Sequence, residues 1–271
     1  MRQRGFGPLD VDVPIVGLGT WNMERDDAAS AIAALAHGIE LGLTHIDTAE
    51  MYGSGFCEGL VREAITGKRD RVFLVSKVLP RNSSYAGTIK ACEASLSRLG
   101  TDRLDCYLLH WRGNEPLAET FRAFEHLKSQ GKIRSWGVSN FDDEDLAEAL
   151  AVVGPGKLAA NQVLYHLGER AIEHRVLPWC EKHGVAVVAY SPFGSGRFSK
   201  SPVLDDLAHR FVATPRQVAL AFLAKRTFAI PKSSNAAHVA ELAHEIQLDT
   251  AAIAAIEAAF PLAPWRGLPS I

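Results

Sequence analysis

The chain reads as a single-domain α/β protein, a (β/α)8 TIM barrel spanning residues 1–271, and three observations lead there. Short apolar, β-branched runs recur along the whole sequence, amphipathic stretches of helical spacing separate them, and polar or ionisable residues stand at the end of run after run. The runs are near-continuous rather than alternating, the pattern of strands buried on both faces in a parallel sheet covered by helices. Eight such units close most naturally into a barrel.

In chain order the runs are VPIVGLG (13–19), THIDTA (44–49), VFLVSKV (72–78), LDCYLLH (104–110), SWGVSN (135–140), AANQVLYH (159–166), VAVVAYS (185–191) and FAIPKS (228–233). Between them lie amphipathic stretches such as DDAASAIAALAHGIELG (26–42), GTIKACEASLSRLG (87–100) and PLAETFRAFEHLKSQG (116–131), each ending in the glycine that suits a helix C-terminus. Thr214 followed by Pro215 predicts an N-cap with proline at the first helical position. The competing arrangement, an open doubly wound sheet, announces itself by a glycine-rich fingerprint after its first strand. GLGTWN (17–22) does not match it, and GPGKLA (154–159) contains a proline and precedes a strand instead of opening a helix.

Composition narrows the function classes. With 47% hydrophobic and 22% charged residues the chain is that of a globular protein, and a formal net charge of −2 gives no electrostatic footprint for nucleic acid or an anionic membrane. Small molecules are the expected partners, and monomer is the default state. Cys57, Cys92, Cys106 and Cys180 form no C-x-x-C pair and no ligand cluster with histidine, so reduced thiols, no metal and a cytoplasmic location are expected. The N-terminus has glycine, proline and aspartate where a signal peptide needs an apolar core, and no run reaches the length of a membrane helix.

A barrel gathers its chemistry at the C-terminal ends of its strands. There the sequence places Asp47, Lys77, His110, Asn140, Gln162, Tyr190 and Lys232, with Tyr52 just beyond the second run. A phenol has a reference pKa of about 10, too high for efficient proton donation near neutrality. A lysine about 4 Å away favours the phenolate by roughly 4 kcal/mol at an effective dielectric near 20, a shift of up to about three units before desolvation. Lys77 can supply that field to Tyr52, Asp47 keeps the lysine charged, and His110 can hydrogen-bond a carbonyl oxygen as negative charge develops on it. The set suits protonation of an oxygen while a hydride reaches the adjacent carbon.

These segments, IDTAEMYGSG (46–55), VSKV (75–78), YLLHW (107–111), GKIRSWGVSNF (131–141), NQVLYH (161–166), AYSPFGSG (189–196) and IPKSS (230–234), resemble the aldo-keto reductase family, NAD(P)H-dependent (β/α)8 carbonyl reductases. The resemblance covers essentially the whole chain. It implies that Tyr52 is the general acid, Lys77 lowers its pKa, Asp47 anchors Lys77 and His110 positions the carbonyl. It further implies that Ser139, Asn140 and Gln162 hold the nicotinamide carboxamide, that Tyr190 stacks on the ring, and that Thr20, Trp21, Ser191, Phe193 and Ser195 line the pyrophosphate. Lys232, Ser233 and Asn235 resemble the site of the additional phosphate of NADP, with Glu241 near the adenine. Two positions depart from the family pattern: His238 replaces a usual arginine and Leu242 a usual asparagine. A histidine lacks the permanent, bidentate charge of arginine. The expected cofactor is therefore NADP(H), with NAD(H) as a second one.

Trp21, Met23, Trp111 and Trp265 resemble walls of an apolar substrate pocket. The connection WRGNEP and the terminal APWRGLPSI are short, which suggests an open site, and the overall resemblance is to short bacterial members that reduce small aldehydes and 2-oxoaldehydes such as methylglyoxal. Two rival readings are a cofactor-sensing subunit with little turnover and a Schiff-base lyase using Lys77 as nucleophile.

Overall fold

The computed structural model describes residues 1–270, and it opens with an antiparallel hairpin of β1 (Gln3–Gly5) and β2 (Asp12–Pro14). Eight parallel strands follow: β3 (Leu18–Gly19), β4 (His45–Asp47), β5 (Phe73–Val78), β6 (Leu104–Leu109), β7 (Ile133–Ser139), β8 (Leu158–Leu164), β9 (Ala186–Tyr190) and β10 (Phe228–Ile230), each paired with the next. The seam between β3 and β10 is joined by Gly17 N to Ala229 O (2.8 Å), Ala229 N to Ile15 O (2.8 Å) and Gly19 N to Pro231 O (2.9 Å). Glycine is required there: a Cβ at Gly19 would lie 2.7 Å from the Ile230 carbonyl, and one at Gly17 2.3 Å from that of His45.

The first predicted strand is thus divided. Val13 and Pro14 belong to the hairpin, and only the glycine-flanked end of the run enters the barrel. The hairpin region seals the N-terminal mouth, where Phe6 is buried against Phe73, Phe228 and His45. The eighth strand also ends earlier than predicted, at Ile230, so Lys232 lies in the loop beyond it.

Helices wrap the barrel between strands. α1 (Ala28–Glu40) follows β3, and it starts two residues later than predicted because Asp27 is its N-cap, accepting from Ser30 N at 2.8 Å. α2 (Phe56–Ile65), α3 (Tyr85–Leu99), α4 (Leu117–Ser129), α5 (Asp143–Val153) and α6 (Val176–His183) follow in turn. Two helices, α7 (Pro202–Arg210) and α8 (Pro215–Leu223), connect β9 to β10. Thr214 and Gln217 cap α8 reciprocally, as the Thr-Pro signal predicts. α9 (Ala236–Ala243) and α10 (Thr250–Ala259) end the fold. Among the described residues no helix is long and apolar enough to cross a membrane.

Candidate active site

Alternation along the strands sorts chemistry from scaffold. On β5, Ser76 points outward and donates to Glu58 of α2 at 2.7 Å, while Lys77 points into the barrel. There its Nζ donates to Asp47 Oδ1 at 2.5 Å, to the Thr48 carbonyl at 2.9 Å and to Tyr52 Oη at 3.1 Å, with all three side chains buried. Gln162 reaches from β8 across the interior and donates Nε2 to Asp47 Oδ2 at 2.7 Å, and Thr20 fixes the strand by donating to the Asp47 carbonyl at 3.0 Å.

Tyr52 sits on a short 3-10 turn after β4 whose next three residues, Gly53, Ser54 and Gly55, have left-handed backbones. A side chain at Gly53 would strike Glu24, 2.7 Å from its Cβ, so the turn lies tight against the loop after β3. His110 follows β6 directly, anchored by its backbone N–H to Val78 O at 3.0 Å. Its ring meets the Tyr52 ring edge-on at 5.7 Å.

Burial sets the protonation states. Desolvation alone would lower the Lys77 ammonium, but Asp47 and Tyr52 outweigh it and hold the group above its ordinary 10.5. Burial pushes Asp47 up against the opposing pull of Lys77 and Gln162. Tyr52 departs from the sequence expectation: burial, helped by Asp47, raises the phenol above 10, and the field of Lys77 opposes that rise without reversing it. The phenol therefore keeps its proton at neutral pH, and Lys77 is placed to stabilise the phenolate left when the proton is given up. Burial and Lys77 together lower His110 to about 2, so its imidazole is neutral. His110 Nδ1 is buried without a partner among the described residues, so Nε2 is the ring nitrogen available for a further hydrogen bond.

A cavity of about 300 Å³ opens beside these groups at the C-terminal mouth of the barrel. Asp47, Tyr52 and His110 lie on its wall beside Trp21, Met51 and Trp111. Ser139, Asn140, Gln162, Tyr190, Ser191, Phe193, Ser195 and Lys232 line it as well. The amides are partly engaged: Asn140 Nδ2 donates to His110 O (3.1 Å) and Ser139 Oγ (3.2 Å), and its Oδ1 accepts from Tyr190 Oη at 2.8 Å. An amide carries two donors and two acceptor lone pairs, so Asn140 Oδ1 and Gln162 retain capacity for a ligand.

Not every predicted site residue is on this wall. Met23 is fully buried in the core, and Trp265 packs on His174 (ring centroids 6.4 Å) and under Arg175, where it fastens the C-terminal tail. Ser233, Asn235, His238 and Glu241 lie beyond the cavity, around the start and body of α9, where Asn235 is the N-cap and Leu242 is core. The sequence reading missed Asn22, Met51 and Pro231 on the wall. It also missed Asp26, whose position beside Asp27 reads as helix. Cys57, the cysteine nearest the Tyr52 turn, is buried, and desolvation with Glu24 pushes its thiol up to about 12, the state of a packing residue.

A parallel barrel with a lysine-backed phenol and a neutral imidazole at its C-terminal mouth defines a class, enzymes that can protonate a carbonyl oxygen. The aldo/keto reductase family profile matches residues 15–260, and the chain belongs to that family. It is 48% identical to methylglyoxal reductase YeaE of Escherichia coli (strain K12) over 93% of each chain, and 34% identical to glyoxal reductase of Bacillus subtilis (strain 168) over 82% of this chain and 79% of that one. Among solved structures it is similar to an aldo/keto reductase of Klebsiella pneumoniae in complex with NADP and acetate (44% identity, TM-score 0.92, 98% of each chain). A second structure from Klebsiella pneumoniae, in complex with NADPH, matches at 42% identity and TM-score 0.92 over 100% of both chains.

Proposed function

We propose that this aldo-keto reductase reduces small aldehydes and 2-oxoaldehydes of the methylglyoxal type to alcohols with NADPH, and that Tyr52 is its general acid. The observation that carries the reading is the single Lys77 ammonium shared by Asp47 and Tyr52 beside the neutral His110. NADP(H) fits the donor set: a half-buried tyrosine ring, two side-chain amides and a hydroxyl stand near the acid, and a lysine lines the same cavity. Tyr190 would face the nicotinamide ring, Ser139, Asn140 and Gln162 its carboxamide, and Lys232 the phosphate end. When bound, the reduced nicotinamide supplies a hydride to the carbonyl carbon.

The chain's own residues supply the rest. His110 Nε2 orients the carbonyl oxygen, Tyr52 donates its proton to that oxygen as charge develops, and Lys77 stabilises the resulting phenolate until solvent reprotonates it. Asp47, held by Gln162 and Thr20, keeps Lys77 ionised. That same pairing argues against the Schiff-base reading, because an ammonium raised above its ordinary value with three hydrogen bonds is not a free amine nucleophile. Trp21, Met51 and Trp111 give the substrate end an apolar wall suited to a small carbonyl compound.

The test is NADPH consumption with methylglyoxal and simple aldehydes. Tyr52→Phe should lower kcat by about 10²–10⁴-fold while NADPH still binds. Turnover that survives this change removes Tyr52 from its role.

A further inference from the structure

Asp26 sits where the loop after β3 turns into α1, yet its side chain does not serve that turn. Asp27 caps the helix. The Asp26 carboxylate leaves instead for the loop after β10, where its Oδ2 accepts from Lys232 Nζ and, at 2.5 Å, from Ser234 Oγ. Each side chain of the ion pair keeps 31% of its surface exposed, so the contact can open without unpacking the core.

An oxygen anion held by an ammonium and a hydroxyl is the arrangement a phosphate monoester would take up. Lys232 is also one of the residues that line the cavity. The neighbouring helix offers little in exchange. Asn235 Oδ1 already takes the Ala237 and His238 amides of α9, and the His238 side chain is exposed off the cavity. The positive charge of Lys232 is therefore matched one for one by a carboxylate of the same chain.

We infer that Asp26 is an internal competitor for the 2′-phosphate of the cofactor and sets how strongly the enzyme discriminates NADP(H) from NAD(H). The inference rests on the cofactor reading above. A phosphorylated dinucleotide must displace the carboxylate from Lys232 and Ser234 or share them with it. An unphosphorylated one leaves the Asp26–Lys232 pair intact and bears no such cost. Asp26 is then a specificity residue that acts through Lys232, in a position where the charge type alone changes the outcome.

The test is direct binding, followed by calorimetry, of four ligands: NADP⁺, NAD⁺, adenosine 2′,5′-bisphosphate and adenosine 5′-monophosphate. In Asp26→Asn the two 2′-phosphorylated ligands should tighten by about two- to fivefold, the range expected of a partly exposed ion pair. The two unphosphorylated ligands should be unchanged, and the gain should vanish in Asp26→Asn/Lys232→Met. Equal shifts for all four ligands, weaker binding of the phosphorylated pair, or a gain that survives Lys232→Met each overturn the proposal while leaving the cofactor reading standing. Wild-type protein that binds none of the four overturns the cofactor reading and this proposal with it.

Discussion

Strand β4 carries two buried ionisable side chains two residues apart, and the protein treats them in opposite ways. His45, at the N-terminal end of the barrel, has no hydrogen-bond partner on either ring nitrogen among the described residues and is boxed edge-on by Phe6, Phe73 and Phe228. Asp47, at the C-terminal end, accepts from Lys77 and Gln162. Both side chains face the interior, as residues i and i+2 of a strand must. At the bottom, burial and the distant Lys77 lower the histidine to about 3, and the plug stays neutral. At the top, Asp47 and Tyr52 hold the Lys77 ammonium above its ordinary 10.5, so charge is retained by pairing. One end of the barrel is built to exclude charge and the other to hold it.

The sharpest way to break this contrast is to remove one member of the charged pair. Lys77→Met should abolish turnover and cost about 3–5 kcal/mol of stability, since it leaves the Asp47 carboxylate buried without its cation. Lys77→Met/Asp47→Leu should recover much of that stability and none of the activity. Denaturant unfolding with parallel turnover measurements decides it, and additive losses in the double variant would mean that the pair is not a unit.

The neutral end should be visible in acid. His45 is lowered from 6.5 to about 3 in the folded chain, so between those pH values the unfolded state binds a proton that the folded state refuses. Stability therefore falls as pH falls through that window, by up to about 1.4 kcal/mol per unit for one histidine. His110 adds a loss of the same sign. His45→Phe should leave stability near pH 7 within about 1 kcal/mol and flatten the acid limb by one histidine's share. An unchanged limb would place the acid sensitivity elsewhere.

The contrast also marks what could be read from sequence. Asp47, Tyr52, Lys77 and His110 were legible because each sits at or just beyond the end of an apolar run, where a parallel barrel exposes its chemistry. The Gln162 bond to Asp47 was not, because it joins residues 115 positions apart across the barrel interior. Proximity of Lys77 to Tyr52 could be anticipated, but desolvation could not, and desolvation decides the direction of the phenol's shift. Met23 and Trp265 show the same limit from the other side. Their residue types suit a pocket wall, yet one is the buried first residue of a 3-10 turn and the other pins the tail. The strand rhythm predicted the barrel, but the interruption at Pro14 depends on β1 as its pairing partner, and β1 has no apolar run of its own.

A milder change at the charged end separates chemistry from posture. Tyr190 and Tyr52 are both phenols on the cavity wall, but the Tyr190 hydroxyl is spent on Asn140 Oδ1 at 2.8 Å, whereas Tyr52 stands against the ammonium. Tyr190→Phe keeps the ring and deletes the hydrogen bond to Asn140 Oδ1, worth about 1 kcal/mol. The expected result is a cofactor KM raised by up to about fivefold with kcat nearly unchanged, because Asn140 loses a partner that holds its amide while Tyr52, Lys77 and Asp47 are untouched. Steady-state kinetics with NADPH as the varied substrate reads the split. If kcat instead collapsed as in Tyr52→Phe, the Tyr190 hydroxyl would be taking part in the proton transfer, and Tyr52 could not be the only phenol in that step.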